Sequence, residues 1–314
     1  MSGKGVVSKR RRVARICLRA VVLGTVAFVA WIFWLSLDRS PRILERHGTL
    51  EGFSSGPELA VGDHLDQDLL LLSSSGLEVE LLVRRPAGVT DPAPLVLLLG
   101  GLNTGKAAAR LVEANRPVVV AALSYPTELR KIGTDLGLFA DVAEARRAIL
   151  DTPAAVMLAL DHLVEQPFVD ASRIELVGVS LGAPFAVVAG AMDPRVRRVW
   201  SIHGGGDPTA MIAKGLEPHV SFGPARWAVA NLAARLAHAS SIAPERWVGR
   251  IAPRPFVMVN AEHDERIPRA CVDALYEAAG EPRELIWDPG AHIDVDREAR
   301  LRGLTELVLS RIER

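Results

Sequence analysis

Cysteine is scarce, with Cys17 and Cys271 the only two in 314 residues. That count excludes a disulfide-stapled scaffold. With Cys17 near the N-terminus, no disulfide is expected in the body of the chain. Acidic residues are absent from residues 1–19, which carry seven lysines and arginines. The remainder holds 30 basic against 37 acidic residues, so a formal total of zero hides a net charge of −7. An acidic body with a basic tip does not have the folded basic face that nucleic acid requires, which excludes DNA and RNA as expected partners. No His, Cys, Asp and Glu residues recur at metal-ligand spacing, so neither a metal nor another cofactor is expected. Repeats and low-complexity tracts are also missing, which excludes a solenoid.

One nucleotide-binding signature starts and then fails. In LVLLLGGLNTGKAAAR, residues 95–110, Gly100, Gly105 and Lys106 reproduce the frame G-x-x-x-x-G-K. The next position is Ala107, where magnesium needs a Ser or Thr hydroxyl, and no second acidic motif matches it.

What is present begins with AVVLGTVAFVAWIFWLSL, residues 20–37, uncharged throughout. As a helix it spans roughly 27 Å, about one bilayer core. Trp31 and Trp34 lie near its far end, where amphipathic rings favour the interface. No small-x-small cleavage site follows it. The expectation is a single-pass signal anchor in contact with the lipid bilayer, residues 1–19 cytoplasmic and the body on the outer side. A cleaved signal and a buried soluble helix are the alternatives.

Residues 38–66 are polar and punctuated by proline and glycine, which reads as a linker. From 67 to 314 the chain alternates strand and helix. DLLLLSSSGLEVELLVRRP reads as two strands about a Ser-Gly turn. The runs Leu95–Leu99 and Val118–Leu123 are apolar on every residue, as in a parallel sheet covered on both faces, with a crossover helix over 106–115 between them. Helices are expected over 139–166, 181–192 and 270–279, strands over 173–177, 196–202, 256–260 and 284–287, and a closing amphipathic helix. Residues 208–248, rich in Ala, Leu and Arg, read as a helical insertion. The class is α/β, a doubly wound and mostly parallel sheet.

The strongest motif is Gly178-Val179-Ser180-Leu181-Gly182, a G-x-S-x-G placed where a strand passes into a helix. Such a turn lifts the serine Oγ above the sheet. Glycines two residues to either side let strand and helix pass closely, and the Leu181 N–H faces a developing oxyanion. A serine nucleophile needs a base and an orienting acid on the same carboxyl edge. Asp264 stands just past one strand and His292 just past the next, in the order Ser, Asp, His. Glu262, Glu265 and Asp288 compete for the acid, and His263 and His203 for the base. His203-Gly204-Gly205-Gly206 spells an oxyanion-loop sequence but follows Ser180 by 23 residues instead of preceding it, so it is assigned no donor.

With these residues assembled, the chain over about 67–314 resembles the α/β-hydrolase superfamily, nearest to its dienelactone-hydrolase-like and prolyl-oligopeptidase-like esterases. The phrases that carry the likeness are ASRIELVGVSLGAPFAVVAGAMDPRV, ERWVGRIAPRPFVMVNAEHDERIP and GAHID. The resemblance implies a first oxyanion donor at the Leu102 N–H. It has Gly100 where the family usually has histidine, and a cap at 208–248. It also implies a small-molecule ester substrate cleaved through an acyl-enzyme. A peptidase or acyltransferase on the same fold, and a binding protein without catalysis, stay open.

Overall fold

The structure is a computed structural model and describes residues 3–88, 91–102, 104–112, 116–127, 138–293 and 298–312. Asn103 and the end of the expected crossover helix, 113–115, lie outside the described residues. The chain divides into two units, Met1–Asp38 and Arg39–Arg314.

The first unit is a helix, α1 (Gly3–Leu35), whose stretch Arg15–Leu35 is long and apolar enough to cross a membrane. Its large side chains, among them Leu23, Phe28 and Phe33, are exposed. A stretch this long and apolar has the character of both a membrane span and a signal sequence.

The second unit starts earlier than the linker expectation allows. Residues 41–66 contain α2 (Pro41–His47), β1 (Leu50–Ser55), β2 (Leu59–Val61) and the start of β3 (His64–Ser73). Composition conceals them because β1 and β2 are exposed edge strands and α2 is anchored mainly through the buried Ile43. Polar contacts do the rest: Arg46 donates to Asp151 at 2.6 Å, and His47 Nε2 lies 2.8 Å from Asp161.

The other strands are β4 (Glu78–Pro86), β5 (Ala93–Leu99), β6 (Val119–Leu123), β7 (Val169–Val179), β8 (Arg198–Ile202), β9 (Phe256–Ala261) and β10 (Arg283–Asp288). Their order in one sheet is β1-β3-β4-β6-β5-β7-β8-β9-β10, with β2 on β3. Pairing is antiparallel from β1 to β6 and parallel from β6 through β10. Strands β5, β6, β8 and β9 are buried at every residue, as the continuous apolar runs of β5 and β6 require between two covered faces. Because β6 folds back to one side of β5 and β7 lies on the other, the order reverses at the carboxyl ends of β5 and β7. Doubly wound sheets bind ligands at such a switch point.

Successive side chains point to opposite faces. Leu95, Leu97 and Leu99 face α3 (Leu138–Leu163), α4 (Gly182–Met192) and α8 (Arg269–Ala278). Val96 and Leu98 face α9 (Glu298–Ile312) and a 3-10 segment, Gly105–Leu111, which stands where a crossover helix was expected. The insertion is helical as expected, with α5 (Pro208–Gly215), α6 (Gly223–Ala237) and α7 (Pro244–Trp247). Its apolar residues Ala234, Ile242 and Trp247 join the first of these two cores.

Candidate active site

Ser180 follows β7 directly and has φ 53°, the left-handed region that costs an L-residue about 1–2 kcal/mol. The turn is over-determined. The Ser180 amide donates to the Ile202 carbonyl on β8 at 2.8 Å, and the Ser180 carbonyl accepts from Ala183 at 3.0 Å. A Cβ on Gly182 would collide with the Leu99 carbonyl, and one on Gly178 would lie 2.6 Å from the Gly182 carbonyl oxygen. Only glycine permits this crossing of strand and helix. Leu181 occupies the N-cap of α4, so its N–H is among the amides that a helix start leaves without an intrahelical acceptor.

The loops after β9 and β10 deliver the other two groups. Their backbones are joined beyond the strands, Glu262 N–H to Asp288 O at 3.0 Å and His263 N–H to Gly290 O at 2.9 Å. His292 Nε2 lies 2.9 Å from Ser180 Oγ, and Nδ1 lies 2.8 Å from Asp264 Oδ2. With the ring proton on Nδ1 donated to Asp264, the Ser180 hydroxyl donates to Nε2. Asp264 Oδ1 also accepts from the Arg266 and Ile267 amides, each at 2.9 Å. Burial alone would push this carboxyl up. The hydrogen bonds from His292, Ile267 and Arg266 outweigh it and hold the group below its ordinary value.

None of the competing carboxylates is hydrogen-bonded to the His292 ring. Glu265 accepts the His292 amide at 3.0 Å, and that hydrogen bond holds its own carboxyl low. Asp288 pairs with Arg300, and Glu262 and His263 are exposed.

His203 is the residue sequence reasoning set aside and the fold brings in. It stands at the end of β8 as Ser180 does at the end of β7, with φ 51° and no exposure. Its ring meets that of His292 edge-on, with centroids 5.2 Å apart. Its Nδ1 accepts the Ile293 amide at 3.0 Å, so the chain is tied on both sides of His292, by Glu265 before it and His203 after it. Burial, helped by the neighbouring His292, lowers the His203 pKa to about 4, which keeps the ring neutral at pH 7. The available signal was position: one residue past a parallel strand, on the edge that carries the serine.

His203, Asp264 and His292 also present ligand-type atoms within 4.8 Å of one another, a grouping invisible in their spacing. Both His292 nitrogens and His203 Nδ1 are already committed to the hydrogen bonds above.

The second loop of interest follows β5. Leu102 is exposed and, with Gly100, Gly101, Ser180 and Leu181, borders a cavity. Tyr125, just beyond β6, donates to the Gly100 carbonyl at 2.5 Å, and Thr104 Oγ1 donates to Gly101 at 3.0 Å. Burial raises the Tyr125 phenol well above its ordinary value, so it stays protonated as a donor. Thr104 Oγ1 sits where a Cβ on Gly100 would be, so a side chain such as histidine at this position would collide with it. Lys106 pairs with Asp68 at 3.0 Å and Glu80 at 3.2 Å, so its ammonium is engaged by carboxylates.

No family model matches the chain, and no curated protein matches it by sequence. Solved structures do match in shape. Acetyl xylan esterase 1 from Thermoanaerobacterium sp. JW/SL YS485 is 17% identical, with a TM-score of 0.62 over 87% of this chain and 91% of its own. The acetyl xylan esterase from Paenibacillus sp. R4 is 16% identical, with a TM-score of 0.64 over 90% and 93%. A cold-adapted esterase from an Arctic intertidal metagenomic library is 16% identical, with a TM-score of 0.57 over 83% and 99%. At these identities the likeness speaks for architecture, and together with the strand order it makes the body of this chain an α/β-hydrolase fold.

Proposed function

We propose that the chain is a membrane-anchored serine hydrolase acting on carboxylic esters. The observation that carries this reading is the continuous hydrogen-bonded line Ser180–His292–Asp264 at the switch point of the sheet. Ser180 Oγ attacks the ester carbonyl carbon while its proton passes to His292 Nε2. Asp264 fixes the tautomer and stabilises the imidazolium. The Leu102 and Leu181 amides receive the oxyanion. As the tetrahedral species collapses, the carbon–oxygen bond to the alcohol breaks and His292 protonates the leaving oxygen. Water then repeats the sequence on the acyl-serine, with its proton taken by His292, and releases the acid and the free Ser180 hydroxyl.

The neighbours' printed names, two acetyl xylan esterases and an esterase, support ester chemistry. Anchoring is supported by the apolar stretch Arg15–Leu35 with basic residues on its N-terminal side. The test is labelling of the full chain by a fluorophosphonate probe. Wild type is expected to label and Ser180→Ala not to. Equal labelling of the two would refute the serine mechanism. Alkaline extraction of membranes tests the anchor, which is expected to keep the chain in the pellet. Added alcohol separates hydrolase from acyltransferase by whether the product is acid or new ester.

A further inference from the structure

The cavity below Ser180 lies inside the domain, between the sheet and α9, and not under the helical insertion. Its volume is about 230 Å³. Residues of β5, β7, the 3-10 segment and α9 line it, and no lining residue comes from 208–248. Ser180, Leu181 and Leu102 form the rim, while Val96, Val112 and Leu309 form the floor. Among the described residues, the polar side chains on its walls are Thr104, Ser180, Arg266 and Thr305, and the rest is aliphatic or glycine. From Gly100 at the rim to Val96 at the floor the slot descends roughly 13 Å along β5. A void of this size forfeits packing that protein interiors ordinarily complete. Here it opens on Ser180, whose hydroxyl faces the buried His292.

We infer that this slot holds the acyl chain of the substrate, with the ester carbonyl at Ser180 and the chain directed down between β5, β7 and α9. The inference rests on the serine-ester-hydrolase reading and adds the substrate class, esters of medium-length apolar acids. A 150 Å³ apolar cavity accommodates the six carbons of benzene, so the slot takes an acyl group of about eight or nine carbons. An acetyl group would leave most of it empty. The alcohol portion departs past the exposed Leu102, which places no comparable demand on its size.

The experiment uses the full chain in bilayer discs and p-nitrophenyl esters of acetate, butyrate, octanoate and hexadecanoate. The expected profile rises about 100-fold or more in kcat/KM from acetate to octanoate, as burial of successive methylenes predicts, and falls at hexadecanoate. Val308→Trp, which fills the slot from α9, is expected to lower the octanoate-to-acetate ratio at least tenfold. A ratio taken on one preparation is insensitive to the fraction folded. Leu309→Ala deepens the floor without overpacking and is expected to move the optimum to a longer acid. Trp227→Ala, on the half-exposed surface of α6, is expected to leave the profile as it is. A flat or acetate-preferring profile that still depends on Ser180 would overturn the slot alone. The slot is also overturned if Val308→Trp and Leu309→Ala both leave the ratios unchanged. Loss of Ser180-dependent turnover on every ester would overturn the hydrolase reading with it.

Discussion

The two faces of the central sheet are built from the same strands and finished differently. On one face Leu95, Leu97, Leu99, Leu176 and Met258 lie under α3, α4 and α8, with the helical insertion packed on the same side. On the other, Val96, Leu98 and Val177 meet α9 and a short 3-10 segment, and a cavity remains. Alternation along β5 therefore puts core-facing and cavity-facing side chains at adjacent positions. The lesson is that one face is sealed by helices while the other leaves room beside Ser180.

The largest effect should come from breaking that difference on one strand. Leu97 and Leu98 are neighbours, both buried, on opposite faces. Leu97→Ala opens a new cavity in the sealed core and is expected to cost about 3–4 kcal/mol in denaturant unfolding. Leu98→Ala enlarges a void already present and loses fewer contacts, so about 2 kcal/mol is expected. Equal costs would mean that the open face is as tightly packed as the sealed one.

Much of this contrast was not legible in the sequence, for a physical reason. Leu95–Leu99 is apolar at every position, so its pattern reports two covered faces without saying that one cover is incomplete. The central strands, Ser180 between its glycines, and the order Ser180, Asp264, His292 were legible because strand–turn–helix geometry restricts residue type tightly at those points. His203 and Tyr125 were missed because their roles depend on strand order. His203 reaches Ile293 only because β8 lies near β10 in space, and Tyr125 reaches Gly100 only because β6 pairs with β5. Residues 41–66 were hidden by the polarity that edge strands share with linkers.

A second test uses pH at the edge where the faces meet. Burial depresses the His203 pKa from 6.5 to about 4, so the unfolded chain takes up a proton that the folded chain refuses. The His203 contribution to stability is expected to be complete well above pH 6.5 and to be lost as pH drops toward 4, by up to about 3 kcal/mol. Asp264, held below its ordinary value, adds loss in the same direction once the pH reaches the carboxylate range. His203→Asn keeps a side-chain acceptor for the Ile293 amide and tolerates the left-handed backbone, and it is expected to remove the loss between 6.5 and 4. His203→Leu is expected to lower kcat as well, by freeing the loop at Ile293 that follows His292. A stability curve identical in wild type and His203→Asn would show that another group titrates.

Tyr125 belongs to the sealed core, where its ring lies 6.1 Å from that of Phe185, yet its hydroxyl holds the Gly100 carbonyl over the open face. Tyr125→Phe removes one hydrogen bond and keeps the ring. Its expected effect is about tenfold in kcat with little change in KM, as for an interaction that matters in the transition state. A change confined to KM would place the loop in ground-state binding instead.

The smallest effect concerns Ser180 itself, at the rim common to both faces. Its φ of 53° is strain held by the Ile202 and Ala183 hydrogen bonds. Ser180→Ala and Ser180→Gly both remove the hydroxyl proposed as nucleophile, and only glycine relieves the left-handed conformation. Relief of about 1–2 kcal/mol is partly offset by the greater freedom glycine gives the unfolded chain, roughly 0.5–1 kcal/mol. The glycine variant is therefore expected to unfold about 0.5–1 kcal/mol later than the alanine variant by the same denaturant measurement. A glycine variant no more stable than the alanine one would mean that the elbow carries no strain, and that the serine is raised above the sheet by packing alone.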